Sequence, residues 1–287
     1  MIRSMTGFAR AESDAQAMRL SWEIRSVNHR YLDTQFKLPE EFRALEPEWR
    51  AQAAACISRG KVECALRVTR DEAAIAPIQV DAARLRSLKD ALDVVARTFG
   101  AAAPDPIRAL SFPGVLMQSS SDLTPQLEAA RTLFVRALEE FNRAREREGA
   151  RAAEHLKERA LLLQQLAAQV RARYPQVRTQ WIEKLRARCA DLGVEVEPQR
   201  LAQEVAIASQ RLDVDEELSR LASHLVEVRS ALSGREPAGR RLDFLMQELN
   251  RETNTIASKS QDAEMTKCAV DMKVAIEQMR EQVQNIE

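Results

Sequence analysis

Apolar and polar residues alternate along three short segments near the start of the chain, at residues 18–24, 32–38 and 62–68. A period of two is typical of strands with one buried face. Between the second and third segments, apolar residues from Phe42 to Ala53 recur at helical spacing behind Pro39. The pattern predicts a small α+β unit at the N-terminus.

Beyond this unit the apolar residues recur every three or four positions, which predicts helices. One or two very long helices cross Gly149, and Pro175 is predicted to begin a separate helix. Helices of that length are typical of protruding arms or coiled-coil contacts. Three prolines predict a loop over residues 101–114, and further helices are predicted over residues 201–233, 242–258 and 261–286.

The sequence therefore predicts an α+β fold in which a small N-terminal domain precedes a long-helix, predominantly α-helical region with coiled-coil-like arms. A linker-like patch at residues 73–77 marks the first boundary. The predicted units are an N-terminal α+β domain over residues 1–78, a helical middle region with a long arm over residues 79–198, and a C-terminal helical domain over residues 199–287.

The last predicted helix carries a narrow apolar stripe with alternating steps of three and four residues. Such a stripe predicts a helix-packing seam, which seats either on the chain's own helices or on another subunit. Together with the long helices around Gly149 it favours a homo-oligomer. The stripe consists of Ala269, Met272, Ile276, Met279, Val283 and Ile286.

Composition narrows the function classes only slightly. Lysine plus arginine and aspartate plus glutamate number 43 each, so any site for a polyanion has to be local. Four scattered cysteines without a CxxC pair favour reduced, mostly packed thiols over disulfides or a zinc site. Neither a secretory signal nor a long apolar run is present, so we expect a cytoplasmic protein with no membrane partner.

Polar residues interrupt the strand pattern at residues 26–30, where Ser26, Asn28 and Arg30 take the core-facing parity. A loop or bulge between two strands is one interpretation. A polar binding edge made by Asn28, His29 and Arg30 is the other.

Two charged stripes stand out near the C-terminus. Each occupies about a third of a helix surface at about 100° per residue. A solvated face with salt bridges is one interpretation, and a site that combines carboxylates with phosphate-binding cations is the other. The first stripe contains Asp213, Glu216, Glu217, Arg220 and His224, and the second contains Gln247, Glu248, Arg251, Thr255, Ser258 and Lys259.

Several long and specific segments are spread over the whole chain. They are MIRSMTGF at 1–8, EIRSVNHR at 23–30, RGKV at 59–62, DVDEELSRL at 213–221 with His224, GRRLDFLMQELNRETNTIASK at 239–259, and EQMREQVQNIE at 277–287. Together these segments resemble the bacterial YicC/YloC family. That resemblance implies an endoribonuclease that cuts single-stranded or hairpin RNA, assembled as a ring-like oligomer, expected to be a hexamer, with links to the RNA-turnover machinery.

If the family's activity holds, cleavage of a phosphodiester needs a group that activates the attacking oxygen and positive charge at the phosphorus. We therefore assign catalysis to Glu217, His224, Glu248, Arg251 and Glu252. A divalent metal ion, Mg²⁺ or Mn²⁺, is assigned to Asp213, Glu216, Glu217, His224 and Glu248. RNA binding is assigned to Arg25, Asn28, His29, Arg30, Lys61, Arg220, Arg240, Arg241, Asn254, Ser258 and Lys259.

Three alternatives remain open at this point. In a metal-free site, His224 acts as the general base while arginine and lysine stabilise the transition state. A non-catalytic oligomeric RNA-binding adaptor would present RNA to another nuclease and would not need the carboxylates. A structural coiled-coil scaffold would show no affinity for RNA beyond non-specific levels.

Overall fold

The structure is a computed structural model, and it confirms the α+β class. The predicted linker at residues 73–77 lies outside the described residues, so the first domain boundary stays a prediction. The structure describes residues 2–15, 18–70, 79–100, 105–117, 123–191, 197–234 and 238–287.

The N-terminal part is a four-stranded mixed sheet with strand order β1-β2-β4-β3. Strand β2 pairs antiparallel with β1 and β4, and β3 runs parallel to β4. The three predicted strands correspond to β2, β3 and β4. The elements are β1 (Gly7–Ala15), β2 (Met18–Val27), β3 (Leu32–Lys37), a 3₁₀ helix (Glu40–Leu45), α1 (Glu46–Cys56) and β4 (Gly60–Arg70).

The remaining described residues are mostly helical. Two short strands pair with each other and flank a helical segment, and long helices follow. These elements are β5 (Gln79–Val80), α2 (Ala82–Phe99), α3 (Pro106–Leu110), β6 (Leu116–Met117), α4 (Thr124–Asp191), α5 (Pro198–Leu212), α6 (Asp215–Ser233), α7 (Gly239–Lys259) and α8 (Ala263–Val283).

The 68-residue helix α4 supports both parts of the molecule. Its first turns cover the sheet, where the Trp22 indole donates to the Ala130 carbonyl at 3.2 Å and packs edge-on against Trp49. Its middle packs on α6 and α8. From Arg171 to Asp191 none of its side chains is fully buried, although Tyr174 and Val177 still pack against the helical core.

Three helix boundaries differ from the sequence prediction. Helix α4 continues through Pro175, whose ring is exposed, so solvent can reach the carbonyl that lacks a backbone donor. The predicted helix over 201–233 breaks at Asp213, whose carboxylate accepts from the Asp215 amide at 3.0 Å and so competes with helix hydrogen bonding. Part of the predicted loop is helix α3, which Asp105 caps.

The apolar seam of α8 is buried inside the chain, against α4 and α7. Gly149 also lies in an intramolecular contact, because a Cβ there would sit 2.3 Å from the Ile2 carbonyl oxygen. Neither the α8 seam nor the helix surface at Gly149 is therefore free to contact another subunit.

Both ends of the chain meet at the middle of α4. Ser4 and Ile286 form an isolated β-bridge, and the buried Arg145 donates to the Ser4 carbonyl at 2.7 Å while pairing with the Glu287 carboxylate. These contacts join the sheet to the C-terminal helices.

The structure also bears on the expectations for the cysteines and for membrane-spanning helices. The four thiols are unpaired, and burial raises the pKa of Cys64 to about 12, but Cys56 is exposed rather than packed. No helix among the described residues is both long enough and apolar enough to cross a membrane.

Candidate metal centre between α6 and α7

Helices α6 and α7 lie antiparallel and share a polar seam along one side of their apolar contact. As residue numbers increase along α6, the numbers of their partners in α7 decrease, and these pairs define the register of the two helices. From one end to the other, they are Glu217 with Lys259 at 2.8 Å, Arg220 with Glu252 at 3.8 Å, and Glu227 with Arg241 at 3.4 Å.

The middle of this seam brings three metal-ligand side chains together. One ligand atom each from His224, Glu248 and Glu252 lies within 4.8 Å of the other two. Glu248 and Glu252 are one helical turn apart and therefore point to the same side of α7, while His224 faces them from α6. Glu252 is buried, and the other two are half-buried. The register of the two helices thus builds a compact site from one residue of each predicted stripe, His224 and Glu248, and from Glu252, which was predicted as a catalytic residue but lies outside the second stripe and outside the predicted metal ligands.

The donor set fits a divalent cation. An ion with bonds of about 2.0–2.2 Å holds its donor atoms about 3–4 Å apart, so the three side chains need to close by about an ångström. The Nδ1 atom of His224 is buried and has no hydrogen-bond partner among the described residues. Since the imidazole of His224 contributes one nitrogen to the cluster, an unpartnered ring nitrogen on this side chain is compatible with a metal ligand.

Positive charge frames the cluster from both helices. Arg220 pairs with Glu216 as well as contacting Glu252, and Arg251 lies 3.9 Å from Glu248. Both guanidinium groups are largely exposed, which leaves N–H donors free for a phosphate. The open cavity above the cluster has a volume of about 490 Å³, and its lining comprises Glu216, Ser219, Arg220, Ser223, His224, Glu248 and Glu252.

Two of these lining residues, Ser219 and Ser223, were missed by the sequence reasoning. Their hydroxyls donate to the carbonyls of Asp215 and Ser219, respectively. They follow the arc of Arg220 and His224 at helical spacing, which is the signal that could have included them.

Glu217, Lys259 and Asp213 form a separate group toward the start of α6. The Lys259 ammonium donates to the Glu217 carboxylate and, at 2.7 Å, to the Asp213 carbonyl. The Asp213 carboxylate is engaged with its own turn. The structure therefore does not bring Asp213 or Glu217 into the His224 cluster, and their assignment as metal ligands or catalytic groups stays a prediction without support from the described contacts.

The N-terminal candidates share no contact with this centre among the described residues. Asn28 donates to the Gln284 carbonyl at 2.7 Å and thus ties the sheet to the chain's end. Arg30 stacks over Tyr31, and Arg25 pairs with Glu63 at 3.0 Å. His29 and Lys61 are exposed.

The same region explains the interrupted strand pattern. Ser26 is buried within β2 and donates to the Met5 carbonyl at 2.6 Å, so the core-facing parity continues to that residue. Hydrogen bonds from Lys37 and, secondarily, from Arg25 hold the pKa of the Glu63 carboxyl below its usual range.

The other C-terminal candidates lie along α7. Arg240 and Asn254 are exposed without a hydrogen-bond partner in the described part of the chain. Arg241 pairs with Glu227, and Ser258 donates to the Thr255 carbonyl at 2.9 Å. Binding of RNA by any of these residues stays a prediction.

Comparison with known proteins shows which family the chain is similar to along its length. Residues 2–154 match the family described as "Endoribonuclease YicC-like, N-terminal region", and residues 170–287 match "Endoribonuclease YicC-like, C-terminal". The chain is 39% identical over 287 residues to the probable endoribonuclease YicC of Haemophilus influenzae, with full coverage of both chains. It is 30% identical over 305 aligned residues to the protein of the same name from Clostridioides difficile, again with full coverage of both. The chain belongs to the YicC-like endoribonuclease family.

Proposed function

We propose that this protein is an endoribonuclease that cleaves single-stranded or hairpin RNA at the cluster of His224, Glu248 and Glu252. The observation that carries the proposal is the convergence of these three side chains from two helices beneath two exposed arginines. Family membership and the printed names of the relatives support an activity on RNA. We place this activity in bacterial RNA turnover.

In this proposal His224, Glu248 and Glu252 hold a divalent cation, Mg²⁺ or Mn²⁺. When bound, the ion supplies positive charge and Lewis acidity at the scissile phosphate. Arg220 and Arg251 donate N–H groups to the phosphate oxygens and offset the charge that develops at phosphorus. The attacking hydroxyl loses its proton to solvent and its oxygen bonds to phosphorus, while the bond to the leaving ribose oxygen breaks and that oxygen takes up a proton from solvent.

The acidic lining supports a role for a cation. The carboxylates of Glu216, Glu248 and Glu252 lie around one cavity, and Arg220 supplies the one guanidinium group in its lining. Without a further positive charge, the carboxylates would repel an approaching phosphate. In the metal-free alternative, His224 removes the proton from the attacking oxygen, and the same arginines bind the phosphate.

Chelation tests the proposal and separates the two mechanisms. The protein is treated with EDTA, dialysed, and assayed on a labelled single-stranded RNA before and after addition of Mn²⁺. We expect cleavage to disappear and then return. Full cleavage by the chelated protein would contradict the metal-assisted mechanism.

The variant Glu248→Gln separates a nuclease from an adaptor. We expect it to bind the RNA while cleaving at least about 100-fold more slowly, because a neutral amide is a poorer ligand. Glu227→Gln is the matched control, since Glu227 lies on the same seam outside the cavity. RNA binding without cleavage by any preparation, wild type included, would favour the adaptor. A scaffold would bind RNA only non-specifically.

We also propose that the protein forms a homo-oligomer, with six subunits as in the family it resembles. The support lies in the described residues 79–100 and 105–117, where α2 and α3 bury no side chain and Val94, Val95, Phe99 and Ile107 are exposed. A segment with so little core of its own gains stability from a partner surface. Light scattering tests this: a monomeric wild type would contradict it, and Phe99→Asp should lower the mass.

A further inference from the structure

A second recess lies on the other side of α7, between α7 and α8. It has a volume of about 410 Å³ and an apolar floor made by Met246 and Ile276. Its polar lining contains three amides, two guanidinium groups and one hydroxyl but no carboxylate. These residues are Gln247, Asn250, Arg251, Asn254, Thr255 and Arg280.

Much of the hydrogen-bonding capacity of this groove is unused. The amides of Asn250 and Asn254 have no side-chain hydrogen bond to any described residue, and Asn250 is half-buried. Gln247 donates to Asp243 at 3.1 Å, which leaves its amide oxygen free. A side-chain amide offers a donor beside an acceptor, the combination that pairs with the edge of a nucleobase.

Charge favours a polyanion in the same groove. Arg251 and Arg280 contact carboxylates only at 3.9 Å and 3.7 Å, and both of those carboxylates lie outside the lining. Their exposed guanidinium groups therefore retain donors for phosphate. A purely anionic ligand would leave the amides unused, and an apolar partner would leave the arginines unpaired. A nucleotide strand uses both groups.

The groove is continuous with the candidate metal centre through one residue. Arg251 lines the groove and also lies next to Glu248 of the His224 cluster. A helix with its side chains is about 10–12 Å wide, which corresponds to about three nucleotides at 3.4 Å per step. A strand that crosses α7 therefore reaches from one recess to the other.

We propose that the α7–α8 groove binds the unpaired nucleotides on one side of the scissile phosphate and reads their bases. Asn250 and Asn254 bind base edges, while Arg251 and Arg280 bind the backbone. The nucleotides have to be unpaired, because base pairing occupies the edges that the amides would contact. This inference rests on the proposed function and deepens it by assigning a specificity subsite.

Steady-state kinetics with four single-stranded RNAs, which differ only in the bases beside one cleavage site, tests the subsite. We expect Asn254→Ala and Asn250→Ala to raise KM about tenfold on the preferred RNA, leave kcat within about twofold, and flatten the base preference. Gln278→Ala, an exposed amide of α8 outside the groove, is the matched control. Unchanged KM and base preference in both asparagine variants would overturn the inference.

Salt dependence supplies a second, independent readout. For Arg280→Gln we expect the slope of log Kd against log salt to fall by about 0.7, the value for one phosphate contact on a single strand. Lys273→Gln, an exposed charge of the same helix outside the groove, should leave the slope unchanged. A slope equal to that of the wild type in Arg280→Gln would overturn the backbone contact.

The two proposals fail in different ways. If the wild type cleaves none of the four RNAs, the proposed function fails. Fluorescence anisotropy with the same RNAs still tests the groove in that case. Weaker binding by the asparagine variants alone supports the groove as an RNA site, and unchanged binding overturns it.

Discussion

Lys259 donates a 2.8 Å hydrogen bond to Glu217 across the interface between α6 and α7. The Glu217 side chain is only 10% exposed, and the same ammonium reaches the carbonyl of Asp213 at the junction of α5 and α6. The second carboxylate oxygen of Glu217 is buried and has no partner among the described residues. This pair fixes the start of α6 against the end of α7 and so supports the register that assembles the metal centre.

Glu217→Gln should therefore affect stability more than catalysis. We expect the free energy of unfolding to fall by about 2 kcal/mol, because the half-buried Lys259 loses its charged partner. The cleavage rate of the folded fraction should stay near that of the wild type. Urea denaturation and single-turnover cleavage measure the two effects.

The double variant Glu217→Gln/Lys259→Met is the control, and it should lose less stability than the sum of the two single changes. Wild-type stability together with abolished cleavage in Glu217→Gln would instead assign Glu217 to catalysis, as the sequence alone suggested.

Metal preference follows from the nitrogen ligand. Mg²⁺ prefers oxygen donors, whereas an imidazole favours a transition metal. We expect faster cleavage with Mn²⁺ than with Mg²⁺ at equal free concentration, and His224→Ala should reduce the difference. Calorimetric titration of Mn²⁺ into the RNA-free protein provides a readout other than activity. Equal Mn²⁺ affinity in the wild type and in His224→Ala would contradict ligation by His224.

Asp262 links stability to pH at the start of α8. It caps the helix, and the hydrogen bond from Arg173 at 3.0 Å holds the pKa of Asp262 below its usual range. A carboxylate with a lowered folded-state pKa contributes stability above its unfolded pKa of about 3.9. That contribution is lost as pH falls through the folded-state pKa.

Asp262→Asn keeps a capping side chain and removes the charge. We expect the variant to be less stable than the wild type at pH 7, with the difference shrinking in acid below pH of about 4. Thermal unfolding at a series of pH values measures it. A difference that is constant over the whole range would show that the charge is irrelevant.

Gly149 is required by a close backbone approach rather than by its own conformation. Alanine there would favour the helix by up to about 1 kcal/mol, but its Cβ would lie 2.3 Å from the Ile2 carbonyl and 2.8 Å from the Arg3 Cα. We expect Gly149→Ala to lower the free energy of unfolding by roughly 1–3 kcal/mol. Gly234→Ala is the control, since its nearest atoms are 3.6 Å away. Equal stability of the two variants in urea would contradict this packing.

The parts of the fold that the sequence predicted are those with a strong local pattern. Strand β2 alternates large apolar residues with polar ones and was predicted. Strand β1 was not predicted, because it buries the small residues Ala9, Ala11 and Ala15 and exposes Phe8. The break at Asp213 depends on one side-chain hydrogen bond. A single contact of this kind produces no periodic pattern of apolar residues in the sequence.

The candidate site was predictable only as two helix faces. The angle around a helix shows which residues share a side, so His224 and Glu248 could be selected, whereas Glu252 lies just outside the second stripe and was included only among the catalytic candidates. The angle does not show which residues along the length of α6 lie opposite which residues of α7. That register arises from the packing of residues such as Leu221 and Leu249, and it separates Glu217 from the cluster.

Single-turnover cleavage of a labelled single-stranded RNA by Glu252→Gln, at saturating Mn²⁺, tests the central claim most directly. Glu252 is buried at the centre of the cluster, so a neutral amide there should remove a ligand while leaving the exposed RNA-facing arginines in place. The account predicts a cleavage rate at least about 100-fold below that of the wild type, with the Kd for RNA within about twofold. A wild-type rate in a folded Glu252→Gln protein would contradict the account.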